Sequence, residues 1–166
     1  MKAVVVGLFS LAMVGLTGCG PSEPAAPDAP VKDEMTLRRE WLFGPRGGAP
    51  DITWRPSGLG IRLLAAGAGT APGFADRVRV HYSGSLKDGR VFIDTRAGGK
   101  PADLAMKTLI VGWADGMAEL KPGGRAEFFI PPSQGYGNAG IGDVPPGSGL
   151  IFDVELLEVN PTPAKP

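Results

Sequence analysis

A chain of 166 residues, 43% hydrophobic and 20% charged, has an ordinary globular balance and room for one domain with appendages. Its 17 Lys and Arg are matched by 17 Asp and Glu, and the basic residues are scattered, which argues against a nucleic-acid partner. His81 is the single histidine and Cys19 the single cysteine, so a multi-histidine metal site and an internal disulfide are excluded and a hydrolase triad is disfavoured.

The chain opens on Lys2 and an apolar run, Ala3 to Leu16. At about 14 residues this has the length of a signal-peptide core and is short for a membrane span. It closes on Leu16-Thr17-Gly18-Cys19, which resembles the lipobox of bacterial lipoproteins. The resemblance implies cleavage after residue 18 and attachment of diacylglyceryl to the Cys19 thiol. Acylation also explains a lone cysteine in an exported chain. Gly20, rather than Asp, follows Cys19; by resemblance to enterobacterial sorting this implies the outer membrane, with the protein facing the periplasm. Residues 19–33 then read as the lipidated Cys and a Pro/Ala-rich tether. They carry too few large apolar groups to offset the entropy of ordering.

Residues 34–56 read as an N-terminal extension. Glu34 to Phe43 is compatible with one or two helical turns, and Gly44 to Pro50 with a loop. Trp41, Leu42 and Phe43 form an apolar cluster there. It either packs on the outside of the domain or serves self-association or a partner.

From Ser57 the pattern turns β-like. Leu59 to Leu64 is a short strand, and Arg77 to Ser83 alternates polar and apolar residues as a half-buried antiparallel strand does, with Arg77 and Arg79 outward. Asp88-Gly89 signals a hairpin and Arg90 to Thr95 the returning strand. Val111 to Leu120 is a short helix with Trp113, Met117 and Leu120 on one face, stopped by Pro122-Gly123-Gly124. Gly124 to Ile130 is a strand, residues 131–149 a Gly/Pro loop, and residues 150–159 the last strand. Pro161 and Pro163 cannot donate to a ladder, so residues 161–166 are a tail. These elements make an α+β domain over residues 57–160, with an antiparallel β-sheet wrapped around one short α-helix.

Within that domain a set of strings recurs in a telling order: Val80-His81-Tyr82-Ser83-Gly84, Asp88-Gly89-Arg90-Val91-Phe92, Leu109-Ile110-Val111-Gly112-Trp113, Gly135-Tyr136-Gly137, and Leu150 to Leu157. Together they resemble the FK506-binding-protein (FKBP) type of peptidyl-prolyl cis-trans isomerase, over about residues 57–159. The resemblance implies the FKBP-like fold and a rotamase assisting the folding of exported proteins, with proline-containing polypeptides as substrates, macrolide inhibitors as ligands of the same pocket, and no cofactor or metal. It also implies residue roles. Trp113 is the pocket floor, Tyr82, Phe92 and Phe152 its walls, and Leu109 and Ile110 the rim, with the Ile110 N–H facing a substrate carbonyl. Tyr136 is a hydroxyl donor to the carbonyl before the proline, and Val144 a further rim position. His81 matches a structural position.

The chain departs from the family pattern at one place of chemical weight. Active members carry Asp directly after the pocket Phe, whereas here Ile93 follows Phe92 and the acid is Asp94. Strand side chains alternate faces, so the offset turns Asp94 away unless a bulge, or Ile93 in the Phe position, restores it. Relative to the family, two residues are missing between Lys100 and Trp113 and one between Gly137 and Phe152, which shortens the rim. A second reading therefore stands beside the enzyme: a catalytically weak binding or chaperone module of the cell envelope with the same fold.

Overall fold

A computed structural model describes residues 32–162. The apolar leader, Cys19, the tether to residue 31 and residues 163–166 lie outside the described residues. The elements, in order, are helix α1 (Glu34–Phe43) and strands β1 (Thr53–Trp54), β2 (Gly60–Ala65), β3 (Arg77–Ser85), β4 (Val91–Asp94) and β5 (Ala102–Ala105). Helix α2 (Val111–Met117) and strands β6 (Arg125–Ile130) and β7 (Leu150–Val159) follow. All pairings are antiparallel, in the order β1-β2-β6-β7-β3-β4, with β5 also on β3.

The alternation in the sequence decides the two faces. Val78, Val80, Tyr82 and Gly84 of β3 share the inner face with Ala126, Phe128 and Ile130 of β6 and with Leu150, Phe152, Val154 and Leu156 of β7. Helix α2 crosses this face and buries Trp113 and Met117, and the turn after it buries Leu120. The helix approaches closely because Gly116 has no side chain: a Cβ there would stand 2.8 Å from Cε1 of Phe128. Two short strands, β1 and β5, were not legible in the sequence. Ala102-Asp103-Leu104-Ala105 has little intrinsic strand propensity, and it is the exposed edge of β3 that recruits it.

The outer face is a ladder of charges. Arg62 lies opposite Glu127 and Glu127 opposite Asp153, while Arg125 lies opposite Glu155. Arg79 reaches both Asp103, at 2.8 Å, and Glu158, at 3.0 Å. Burial works to raise the Asp153 carboxyl, but the Arg125 guanidinium and then Arg96 outweigh it and hold the group below the usual carboxylate range.

Toward one end the outer face turns apolar. Phe129 and Ile151 are buried there under Phe43 and Ile52, with Leu42 and Trp54 packed alongside. The turn after α1 adds an ion pair from Arg46 to Glu127, which is 8% exposed. The boundary expected at Ser57 therefore does not fall at a break in packing. Phe43, Ile52 and β1 belong to a second buried cluster, and of the three apolar residues at the end of α1 only Trp41 is left largely outside, 66% exposed.

Candidate functional site

Four aromatic rings meet where β3, β4, β7 and the start of α2 converge. Tyr82 stands edge-on to Trp113 with ring centroids 5.1 Å apart, and Phe152 stands edge-on to Trp113 at 5.5 Å and to Phe92 at 5.6 Å. Tyr82 and Phe152 are tilted at 6.3 Å. Trp113 and Phe152 are each 3% exposed, whereas Tyr82 and Phe92 are half-buried. The result is a bowl with a buried floor and open walls. Leu109, Ile110 and Tyr136 pack against the same core, and Val144 is buried within it.

Local structure accounts for each position. Tyr82 follows Val80 by two residues, so alternation turns it to the inner face. Its backbone is fixed by Thr95, whose Oγ1 accepts from the Tyr82 N–H at 2.9 Å and whose hydroxyl and N–H both donate to the Tyr82 carbonyl. The same hydroxyl lies 3.1 Å from Nδ1 of His81, which gives His81 a structural place. Ile110 is the N-cap of α2 and its carbonyl accepts from Trp113 and Ala114. Its own N–H donates to no protein acceptor among the described residues.

The β4 register decides the rest. Ser85 lies opposite Val91 and Gly84 opposite Ile93, so Phe92 is the extra residue of a β-bulge. The bulge lays the Phe92 ring over Gly84: a Cβ on Gly84 would stand 2.6 Å from Cζ of Phe92 and 2.7 Å from Cε1 of Phe152. Asp94 falls opposite Ser83, on the outer-face register, and is exposed. Its carboxylate accepts from the backbone N–H groups of Arg96, at 2.8 Å, and Ala97, at 3.3 Å. The structure does not bring Asp94 to the bowl. The bulge that could have turned it inward positions Phe92 instead.

The bowl is apolar and neutral. Burial pushes the Tyr82 phenol up, with Tyr136 adding to it, and neither hydroxyl bonds to a carboxylate among the described residues. The Trp113 Nε1–H is buried with no partner among those residues. Two contributors escaped the sequence reading, Gly84 and Thr95. Both act through backbone contacts across strands, for which no one-dimensional signal exists.

Comparison with known proteins places these features in a family. Residues 69–157 match the family model for FKBP-type peptidyl-prolyl cis-trans isomerase. The FKBP-type peptidyl-prolyl cis-trans isomerase FkpA of Escherichia coli (strain K12) is 42% identical over 113 residues, 66% of this chain and 42% of that protein. The outer membrane protein MIP of Legionella longbeachae is 38% identical over 128 residues, 76% of this chain and 55% of that protein. The chain thus spans about half the length of these relatives. The crystal structure of FkpA superposes with a TM-score of 0.70 at 35% identity, over 76% of this chain and 60% of that one. A peptidyl-prolyl cis-trans isomerase from Pseudomonas syringae gives 0.66 at 27% identity, over 82% of this chain and 100% of that one.

Proposed function

Because the chain belongs to the FKBP-type peptidyl-prolyl cis-trans isomerase family, we propose that its aromatic bowl catalyses cis–trans isomerisation of X-Pro bonds in polypeptides. The observation that supports this most is the convergence of Tyr82, Phe92, Trp113 and Phe152 into one uncharged aromatic cluster, two of its rings buried and two half-buried. The uncatalysed reaction crosses a barrier of about 18–20 kcal/mol, mostly lost amide resonance. In the twisted transition state the amide is less dipolar than in the planar one. Apolar rings around the proline therefore favour the transition state over the ground state, which is the differential binding that catalysis requires. The free Ile110 N–H and the Tyr136 hydroxyl supply donors for the flanking carbonyls. A macrolide that fills the bowl is expected to inhibit.

The test is a protease-free isomerisation assay on a peptide with an apolar residue before proline. Acceleration over the uncatalysed rate is expected without metal or nucleotide. Tyr136→Phe removes one hydrogen bond, of about 0.5–1.5 kcal/mol, and lowers kcat/KM by a small factor. Folded protein that gives no acceleration across several peptides would leave the second reading, a binding module of the same fold. The outward turn of Asp94 is the observation that favours that alternative.

Asp94→Ala separates the two views of the missing acid. Since the carboxylate caps the Arg96 and Ala97 N–H groups, the expected result is unchanged kcat/KM and a stability loss of about 0.5–2 kcal/mol, as for other side-chain caps. A clear loss of activity in a folded, equally stable variant would show that Asp94 reaches the bowl in solution.

We also propose that the protein works in the cell envelope, anchored through a lipidated Cys19 and facing the periplasm from the outer membrane, where it assists folding of exported chains. The Leu16-Thr17-Gly18-Cys19 string supports this, as does the likeness to the outer membrane protein MIP of Legionella longbeachae. One acyl chain binds membranes marginally, so stable anchoring calls for more than one. Cys19→Ser is expected to release the protein from the membrane fraction or leave the precursor uncut. An unmodified Cys19 thiol in membrane-bound mature protein, read by mass spectrometry, would refute the anchor.

A further inference from the structure

The loop that carries Tyr136 and Val144 has a second side. Gly137, Asn138 and Gly147 of that loop line a groove of about 710 Å³, together with Met35, Arg38 and Trp41 of α1. The loop is tied to itself there: the Gly137 N–H donates to the Pro132 carbonyl and the Gly147 N–H to the Gly137 carbonyl, each at 2.9 Å. One loop thus presents Tyr136 on the bowl side and the next residue, Gly137, to the groove.

Two properties of the groove are unusual for a free surface. Two large apolar side chains stand open in it, Met35 55% and Trp41 66% exposed, beside exposed Ser57, Ser133 and Asn138. Its charged lining is also of one sign. Arg38 and Arg39 line it without any Asp or Glu, and neither guanidinium has a carboxylate within 4.0 Å among the described residues. Arg39 is held over the Trp54 ring at 4.5 Å, which leaves Arg38 as the exposed cation. Elsewhere among the described residues arginines are mostly paired, as the outer-face ladder illustrates.

We propose that this groove is an accessory site for the substrate polypeptide, and that it takes an extended segment carrying apolar and acidic side chains next to the proline held in the bowl. The inference rests on the isomerase reading above. An extended chain leaving the bowl over Tyr136 meets the groove at the adjacent residue of the loop. There it finds apolar contact from Met35 and Trp41 and an uncompensated positive charge from Arg38. Two linked contacts on one chain raise the effective concentration of the proline at the bowl without altering the chemistry there. Acidic substrates gain through the charge, and the gain weakens with salt.

The experiment compares three synthetic substrates on the full-length protein. One is a short proline peptide that reaches only the bowl. The second is a longer one whose proline is flanked by alternating leucine and glutamate, and the third has lysine in place of glutamate. Wild type is expected to prefer the leucine–glutamate substrate through a lower KM, with the preference shrinking in high salt. Arg38→Glu should lower kcat/KM for that substrate by about fivefold, roughly 1 kcal/mol, and leave the short peptide unchanged. Met35→Glu, at an exposed position, should act in the same direction. Equal treatment of the glutamate and lysine substrates by wild type would overturn the proposal, and so would an Arg38→Glu effect shared by the short peptide. If the short peptide is not turned over at all, the isomerase reading fails and direct binding decides the groove. A proline-free leucine–glutamate peptide that binds wild type and is weakened by Arg38→Glu supports it, and no binding refutes it.

Discussion

Phe43→Ala is expected to lower the unfolding free energy by about 3–5 kcal/mol, the usual cost of emptying a buried Phe site. Phe43 is 1% exposed and meets Phe129 edge-on at 5.6 Å and Trp54 at 5.7 Å. The backbone of Gly149 closes over the ring, since a Cβ there would stand 2.9 Å from Phe43 Cε1. The side chain is therefore the bolt between α1 and the apolar end of the outer face. Trp41→Ala, by contrast, should cost less than about 1 kcal/mol, because most of that ring is already in water. Urea denaturation followed by tryptophan fluorescence measures both. A loss below about 1 kcal/mol for Phe43→Ala would mean that α1 is an accessory and that the domain proper begins near Thr53. The result would then also predict that a chain cut before Thr53 folds with full cooperativity.

Gly84→Ala should cut kcat/KM on proline peptides by about 10²-fold, the penalty expected when a catalytic surface is displaced by roughly an ångström. The added Cβ would stand 2.6 Å from Phe92 and 2.7 Å from Phe152, so at least one ring must leave its place. Both rings are edge-on partners in the same bowl. The stability loss from overpacking is about 1–3 kcal/mol, so the comparison is made at a temperature where both proteins are folded. A merely structural effect is separated by a second change. Gly84→Ala combined with Phe92→Leu relieves the clash on one side and should regain part of the activity, while Phe92→Leu alone loses some. Activity within twofold of wild type in folded Gly84→Ala would show that the rings are free to re-seat and that the bowl is not shaped by this contact.

Much of the fold was legible because it follows from local rules. The period-two alternation of Arg77 to Ser83, the Asp88-Gly89 turn, the one-sided Trp113, Met117 and Leu120, and the proline stop after Asn160 each act over a few residues. Each matches what is seen: β3, a turn with the Gly89 N–H bonded to Leu86 at 2.9 Å, a helix starting at Val111, and β7 ending at Val159. The expected helix end at Leu120 overran the observed one at Met117, since a buried turn continues the same apolar face. The residues that form the bowl were legible too, through their order along the chain.

The tertiary structure alone decided three things. It made Ala102–Ala105 a strand, because an unpaired edge of β3 recruits residues with little strand preference of their own. It made Phe43 and Ile52 core, because the apolar patch of Phe129 and Ile151 exists only once β6 and β7 lie side by side. And it turned Phe92 into the bowl and Asp94 out of it, because a bulge is a property of two paired strands and not of either one. The sequence of β4 by itself determined that an aromatic, an aliphatic and an acid stand in a row. Which of them faces the bowl was set by the hydrogen-bond register with β3, and that register depends on contacts between residues far apart in the chain.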